Sequence, residues 1–363
     1  PYVKVLMELD STSFQSGRHP QNYPNAWYHE FEGGRVFYTA GGHNENDFDD
    51  PLFLEHVFGG IKYAMGKKTK LDYNKNKAFE KPAARLITLD PGHFHAALVQ
   101  KTSLPGLNQN VSVYAPEGSD LKQHLARIEA YNNRKENPTH WNENVYTGND
   151  FFEKMISEKK GDIVVMAGNN AKKTDMILKS ISSGLNVLAD KPMCIDSEGF
   201  LKLKKAFEIA KEKDVLLYDI MTERSEITTV LQRELSFSPE VFGKLLPGSP
   251  ENPSIVKESV HYFFKYVSGS PLIRPQWFMD TKQQGEGIVD VTTHLVDLGQ
   301  WAAFPDTPLQ LTDAEVIAAK RWPTTMTLSE FSKITGANQF PDFLKSNLKD
   351  GNSLEVFANG EID

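Results

Sequence analysis

The stretch RLITLDPGHFHAALVQ, residues 85–100, decides how the rest of the chain is read. Its first five residues, Arg85-Leu-Ile-Thr-Leu89, form an apolar run of the length of a short buried strand. A helix-like segment, His95-Ala-Ala-Leu-Val-Gln100, follows at once. The turn between them is where a nucleotide-binding strand–turn–helix carries Gly-x-Gly-x-x-Gly. Here it reads Asp90-Pro-Gly-His-Phe-His95. Three readings are open at this point: an altered dinucleotide turn, a metal site on His-x-His, or a plain turn.

The following sequence continues the alternation. Strands are expected at 85–89, 111–115, 162–167, 185–189 and 214–218, with helices at 94–101, 119–132, 149–158, 171–183 and 196–212. Short apolar strands separated by amphipathic helices imply a doubly wound, Rossmann-type α/β domain with a parallel sheet over 85–219. Beyond residue 220 the pattern loosens. A helix at 225–236, strands near 256–267 and a helix at 289–303 suggest an α+β domain with a mostly antiparallel open sheet over 220–363, itself cut short. Residues 1–68 form a separate α/β block, with a strand-like start, a second β-like run at 34–39 and helical spacing over 51–65. Residues 69–84 are polar and lysine-rich and are expected to be a linker.

Bulk properties narrow the classes. The chain has 363 residues, enough for two or three domains, and a net charge of -8, which argues against nucleic-acid or anionic-membrane partners. No apolar run is long enough for a membrane-spanning helix. The single cysteine, Cys194, excludes an intrachain disulfide and a Cys-rich zinc site. The chain starts on Pro1 and reads as cut at both ends. Cytoplasm is therefore the default compartment, with the periplasm kept open.

Three motifs can carry chemistry. In Val187-Leu-Ala-Asp-Lys-Pro192 a strand ends and sets Asp190, Lys191 and Pro192 at its carboxyl edge, where open α/β sheets bind ligands. A lysine there can stabilise negative charge developing on a substrate oxygen. In Gly285-Glu-Gly-Ile-Val-Asp-Val-Thr-Thr-His-Leu-Val-Asp297, Asp290 and His294 are four residues apart and share a helical face. A histidine beside a carboxylate can act as a general base, and Asp297 is placed to hold its other nitrogen. In Val164-Val-Met-Ala-Gly-Asn-Asn170, Gly168, Asn169 and Asn170 form a turn offering donors to a nucleotide. Each motif alone also fits an ordinary turn or a surface helix.

Their order is more specific than any one of them. Strand–turn–helix, strand–Gly-Asn-Asn–helix, strand–Asp-Lys-Pro and Gly-x-Gly-x-x-Asp-x-x-x-His together resemble the family of glucose–fructose oxidoreductase, inositol dehydrogenase and the rhizopine-catabolism oxidoreductase, over roughly 85–363. The resemblance implies NAD as cofactor, with NADP as the alternative, and hydride transfer at a sugar carbinol carbon. It implies Lys191, Asp290 and His294 as catalytic residues, Asp290 and His294 also touching substrate. It places Asp90, Gly92, His93, Phe94, Glu117, Gly168, Asn169, Asn170, Asp190, Lys191 and Pro192 at the cofactor. His95, Lys173, Arg274 and Trp277 are the further expected sugar contacts. Asp190 stands where the family has Glu, and Lys173 where it often has His. In the opening turn Asp90 and His95 take the first and third glycine positions, while Gly92 keeps the second, the one that lets backbone approach a pyrophosphate. Glu117 suits an acid on the adenosine ribose diol, which favours NAD over NADP.

The block at 1–68 has its own resemblance. Trp27-Tyr-His-Glu-Phe-Glu-Gly-Gly-Arg-Val-Phe-Tyr-Thr-Ala-Gly-Gly-His43, with Asp50-Pro51 and Gly60-Ile-Lys-Tyr-Ala-Met-Gly66, looks like the carboxyl end of a trehalose-utilisation domain of flavodoxin-like, glutamine-amidotransferase-like fold. His43 is its candidate sugar-site residue. The two resemblances together imply a sugar or glycoside dehydrogenase that assembles as a homo-oligomer through the C-terminal sheet, with C3, giving a 3-keto sugar, as the position the pairing suggests. Two rivals remain. One is a catalytically retired sugar-binding protein, favoured by the altered glycine turn. The other is a metal-dependent hydrolase using Asp90, His93 and His95, for which His124, His140, His261 and His294 do not follow strands in the needed pattern. The expectation is that His93 and His95 touch cofactor or sugar and that no metal is bound.

Overall fold

The structure is a computed structural model that describes residues 3–10, 24–31, 34–66, 83–221, 223–267, 270–305 and 307–363. The chain divides into two compact units, Pro1–Glu80 and Lys81–Asp363. The expected linker at 69–84 lies outside the described residues except for its last two positions.

In the first unit, strands β1 (Lys4–Glu8), β2 (Pro24–Phe31) and β3 (Gly34–Thr39) form an antiparallel sheet in that order, and helix α1 (Pro51–Met65) packs on β3. Asp50 caps α1 by accepting from the Leu52 N–H, and Pro51 fits the first helical turn, where its missing donor costs nothing. Gly60 lets α1 approach closely: a Cβ there would lie 2.2 Å from the Phe37 ring. His43 is exposed.

The second unit opens with a six-stranded parallel sheet in the order β6-β5-β4-β7-β8-β9. Its strands are β4 (Leu86–Leu89), β5 (Asn110–Tyr114), β6 (Asn142–Tyr146), β7 (Ile163–Met166), β8 (Asn186–Ala189) and β9 (Leu217–Asp219). The crossovers contain α2 (His95–Leu98), α3 (Ser119–Asn133), α4 (Phe151–Glu158), α5 (Asn170–Ser182) and α6 (Ser197–Lys213). The order reverses between β4 and β7, so the carboxyl ends of those strands flank the switch point where such sheets bind ligands. Both faces are covered. Ile87, Leu89, Val164, Met166 and Ile177 pack in one core, and Leu86, Val111, Val113 and Ile128 in the other. The edge strand β6, Asn-Glu-Asn-Val-Tyr, has no apolar run and was not expected from the sequence.

After β9 come α7 (Ile227–Ser236), α8 (Pro239–Phe242), a two-residue pair β10 (Tyr266–Val267) and β11 (Ser270–Pro271), then α9 (Thr281–Gln284), α10 (Gly287–Asp290) and α11 (Thr292–Ala303). Strands expected near 256–267 reduce to β10. Val256 and Val260, 70% and 75% exposed, have β-forming side chains but no partner strand among the described residues. The chain closes with β12 (Ala319–Thr327), α12 (Leu328–Thr335), β13 (Leu348–Lys349) and β14 (Ser353–Ile362), in an antiparallel sheet of order β12-β14-β13. Phe278, Met326, Phe331, Leu344 and Leu354 form the core beneath it. None of the described helices is long and apolar enough to cross a membrane.

Candidate active site

The opening turn is shaped by backbone needs. Asp90 has φ +47°, the left-handed region that glycine enters freely and that Asp tolerates through its short polar side chain. Gly92 donates its N–H to the Asp90 carbonyl at 2.9 Å. A Cβ on Gly92 would lie 2.8 Å from Trp277 Cζ2 and 3.0 Å from Asp120 Oδ2. A Cβ on Gly168, at the end of the neighbouring strand, would lie 1.9 Å from the Asp90 carbonyl oxygen. These two strand ends therefore meet through glycines, as a turn that brings backbone to a pyrophosphate requires.

Beside them lies a cleft of about 310 Å³ whose walls include Asp90, Pro91, Glu117, Asp120, Trp277 and Gln283. Its volume and its place at the switch point suit part of a dinucleotide. Trp277 donates from Nε1 to Asp120 Oδ2 at 2.8 Å, so this expected sugar contact sits on the nucleotide side. Burial, and then the charge of Asp120, push the Asp90 carboxyl up to about 6. Asn169 caps α5 through the Ala171 N–H and donates to Gln283 Oε1 at 2.7 Å. Asn170, buried, donates to the Gln284 carbonyl at 2.7 Å. Both asparagines thus tie the Rossmann sheet to α9 and to the glycine stretch that follows it.

The Asp-Lys-Pro turn after β8 is the densest part of the site. Asp190 is 3% exposed. His95 Nδ1 lies 2.7 Å from its Oδ1, and His93 Nδ1 lies 3.0 Å from its Oδ2. The His93 ring is not aligned to make that second contact a hydrogen bond. Burial alone would raise the Asp190 carboxyl, but His93, His95 and Lys173 hold it well below the usual carboxylate range. Burial pushes His93 down to about 4. Lys173 lies behind the turn, itself 3% exposed, and its Nζ donates to the carbonyls of Asp190 at 3.1 Å and Pro192 at 3.4 Å. Its ammonium is spent on backbone, which corrects its placement among the sugar contacts. Burial lowers it to about 8.

Lys191 reaches across to the glycine stretch. Its Nζ donates to Asp290 Oδ1 at 2.7 Å and to the Asp290 carbonyl at 3.0 Å. The side chains are 10% and 8% exposed. Burial would raise Asp290, and Lys191 overrides it and lowers the carboxyl. Gly287 makes room for this segment, since a Cβ there would lie 1.9 Å from the Ala358 carbonyl oxygen of β14.

His294 follows one turn later, with Nδ1 2.9 Å from Glu223 Oε2. Asp297, expected to hold that ring, is instead engaged by Arg224. Asp290, the other carboxylate expected beside the histidine, is taken by Lys191. Helical spacing put both acids near His294, but α10 ends at Asp290 and α11 begins at Thr292, so the break separates Asp290 from the histidine, while Asp297, on the same helix as His294, is drawn to Arg224. Glu223 belongs to no motif, and only its place after the last parallel strand could have pointed to it. His261 was also missed as a site residue. It lies near Asp290 and Arg274, and burial, then Arg274, push it down to about 4. Arg274 is 2% exposed, with its guanidinium 4.3 Å from the Phe278 ring centre and its Nε donating to the Phe263 carbonyl.

The group His93, His95 and Asp190 brings three candidate ligand atoms within 4.8 Å of one another, and Asp90 is not part of it. The metal-hydrolase constellation of Asp90 with both histidines is therefore not assembled.

A glycine-supported cleft at the switch point of a parallel sheet, with a paired lysine and aspartate beside it, is the architecture of a nucleotide-binding α/β domain. Residues 91–219 match the family described as oxidoreductase family, NAD-binding Rossmann fold, and residues 231–363 match the "Putative oxidoreductase C terminal domain". Residues 1–64 match the trehalose utilisation family. The chain thus carries the NAD-binding Rossmann domain and C-terminal domain of this oxidoreductase family, preceded by part of a trehalose-utilisation domain. It is 57% identical to a solved structure titled as a "putative oxidoreductase from Parabacteroides merdae ATCC 43184", with a TM-score of 0.74, over 77% of this chain and 64% of that one. The chain therefore spans under two thirds of that relative's length. A myo-inositol 2-dehydrogenase from Lactobacillus plantarum is similar at 13% identity and a TM-score of 0.40, covering 69% of this chain and 63% of that one, too distant to bear on function. No curated protein matches the chain.

Proposed function

We propose that this protein is an NAD-dependent dehydrogenase of a sugar or glycoside. The observation that carries the reading is the Lys191–Asp290 pair, 2.7 Å apart and nearly buried, set by the carboxyl edge of an NAD-binding sheet. The bound nicotinamide would accept or supply the hydride, as the cofactor's own chemistry. Lys191 hydrogen-bonds the reacting oxygen and stabilises negative charge on it. Asp290 holds that ammonium in place through the 2.7 Å contact. His294 takes the hydroxyl proton at Nε2, because Glu223 faces Nδ1 and favours the tautomer that carries its proton there. Glu117 and Asp120, lining the cleft, favour a free ribose diol over a 2′-phosphate, hence NAD over NADP.

Oxidation at C3, giving a 3-keto sugar, is the finer reading. It rests on the pairing with a trehalose-utilisation domain and is analogy at the level of families. Assembly through the C-terminal sheet is supported by the half-exposed Trp322 on β12. The test incubates the full-length protein with a panel of glycosides and 3-keto sugars, NAD and NADP, and follows nicotinamide absorbance. Reduction of NAD by a glycoside is expected. A full-length protein that neither retains nicotinamide nor reduces it with any member of the panel overturns the proposal.

A further inference from the structure

We propose that His93, His95 and Asp190 form a binding site for one first-row divalent transition-metal ion, held through Nδ1 of each histidine and the aspartate carboxylate. The three ligand atoms lie within 4.8 Å of one another, and the three side chains are 13%, 14% and 4% exposed. Two imidazoles and one carboxylate are the donor set of an ion that keeps open coordination positions.

The spacing suits ligation of one ion. With bonds of about 2.1 Å, ligand atoms 90° apart are about 3.0 Å from each other, and tetrahedral ones about 3.4 Å. The Nδ1 to carboxylate separations here are 2.7 and 3.0 Å. Each histidine faces a different carboxylate oxygen, and both separations are close to those of neighbouring ligand atoms around a first-row ion, with the third ligand pair within 4.8 Å.

His93 Nδ1 is buried without a hydrogen bond, although it lies 3.0 Å from a carboxylate oxygen. A buried ring nitrogen left in this way is costly, because hydrogen-bond partners of buried polar atoms are almost always made. An ion accepting lone pairs from the nitrogen and the oxygen satisfies both. Nearby cations do not forbid it. Lys191 is matched by Asp290, and Lys173 directs its ammonium to two carbonyls.

These three residues take no part in the proposed hydride step, and the test does not depend on turnover. Full-length protein is stripped with chelator, reloaded separately with Co(II), Fe(II), Mn(II) or Zn(II), and assayed for bound metal, with visible absorbance as a second signal for Co(II). About one equivalent of Co(II) or Fe(II) per chain is expected, falling at least tenfold in His95→Ala and in Asp190→Asn. Asp190→Asn keeps the shape of the turn and guards against misfolding of the alanine variant, and thermal unfolding verifies both. Failure of the wild-type protein to bind any of the four ions, or equal binding by folded His95→Ala and Asp190→Asn, overturns the site. Metal uptake without nicotinamide reduction would leave the site standing and count against the dehydrogenase reading; sugar oxidation by a metal-free protein that binds no ion would do the reverse.

Discussion

Asp290 is a buried carboxylate of the second unit and Asp90 a half-buried one, and their surroundings push them in opposite directions. Asp290 has an ammonium at 2.7 Å and is held below the usual carboxylate range. Asp90 faces Asp120 across the nucleotide cleft and is pushed up to about 6 by burial and by that second acid. Around Lys191 and Asp290 the chain pairs opposite charges. At Asp90 it sets like charges near one another, where the family fingerprint has an uncharged glycine. Pairing holds a lysine in place. Crowding lets a carboxyl keep its proton to a higher pH.

The largest expected effect breaks the paired side. Lys191→Met leaves the Asp290 carboxylate buried without its counter-charge, which costs about 3–5 kcal/mol of unfolding free energy. The double variant Lys191→Met/Asp290→Leu removes both charges and should regain most of that loss. Sugar oxidation should fall by about a thousandfold in both, since neither retains the ammonium proposed to stabilise negative charge on the reacting oxygen. Denaturant unfolding near neutral pH checks the first claim. A single variant as stable as the wild type would show that the pair contributes nothing to the fold.

The second effect concerns the crowded side. Asp90 has a folded value of about 6 against an unfolded value near 3.9, so the folded state holds the proton more tightly. Its contribution to stability is fully present below about pH 4 and is lost as pH rises through about 6. Asp90→Asn should therefore stabilise the protein by about 1–2 kcal/mol at pH 8 and by almost nothing at pH 4. The same logic applies to NAD, whose pyrophosphate meets a carboxylate only after the proton leaves. Calorimetric titration should show wild-type affinity falling between pH 5 and 8, and a flatter profile for Asp90→Asn. Parallel profiles would mean that Asp90 points its charge away from the cofactor.

These contrasts also show what a single sequence reveals. The parallel sheet was legible because strands covered on both faces read as short apolar runs, as in Leu86–Leu89 and Ile163–Met166. The edge strand Asn142–Tyr146 was not, because its exposed face carries polar residues and erases the run. Lys191, Asp290 and His294 were singled out as candidates by the order of their motifs along the chain. Their partners were not. Lys191 meets Asp290 from 99 positions away, and no local period encodes that contact. Arg224, far away in sequence, takes the Asp297 carboxylate that was expected beside His294, and Glu223 faces the ring instead. Lys173 looked available as a polar residue after a strand, yet the turn it supports buries it.

Glu143 tests whether crowding is needed at all to raise an acid in this sheet. It lies on β6, away from the cleft, and is pushed up to about 7 by burial, against a hydrogen bond from Gln100 Nε2 at 2.6 Å that pulls it down. No second acid contributes, so its rise is due to desolvation alone, unlike that of Asp90. Folding therefore takes up a proton between about pH 4.3 and 7, and the stabilisation present at low pH is lost across that window. Glu143→Gln keeps the shape and offers the same carbonyl-type acceptor to Gln100. It should gain about 1 kcal/mol at pH 8, less than Asp90→Asn because the side chain is partly exposed, and nothing at pH 4. Because β6 is an edge strand far from the proposed chemistry, NAD affinity should stay unchanged at every pH. A gain in stability at pH 8 with unaltered cofactor binding separates burial from function. A change in NAD affinity would instead tie the edge of the sheet to the cleft.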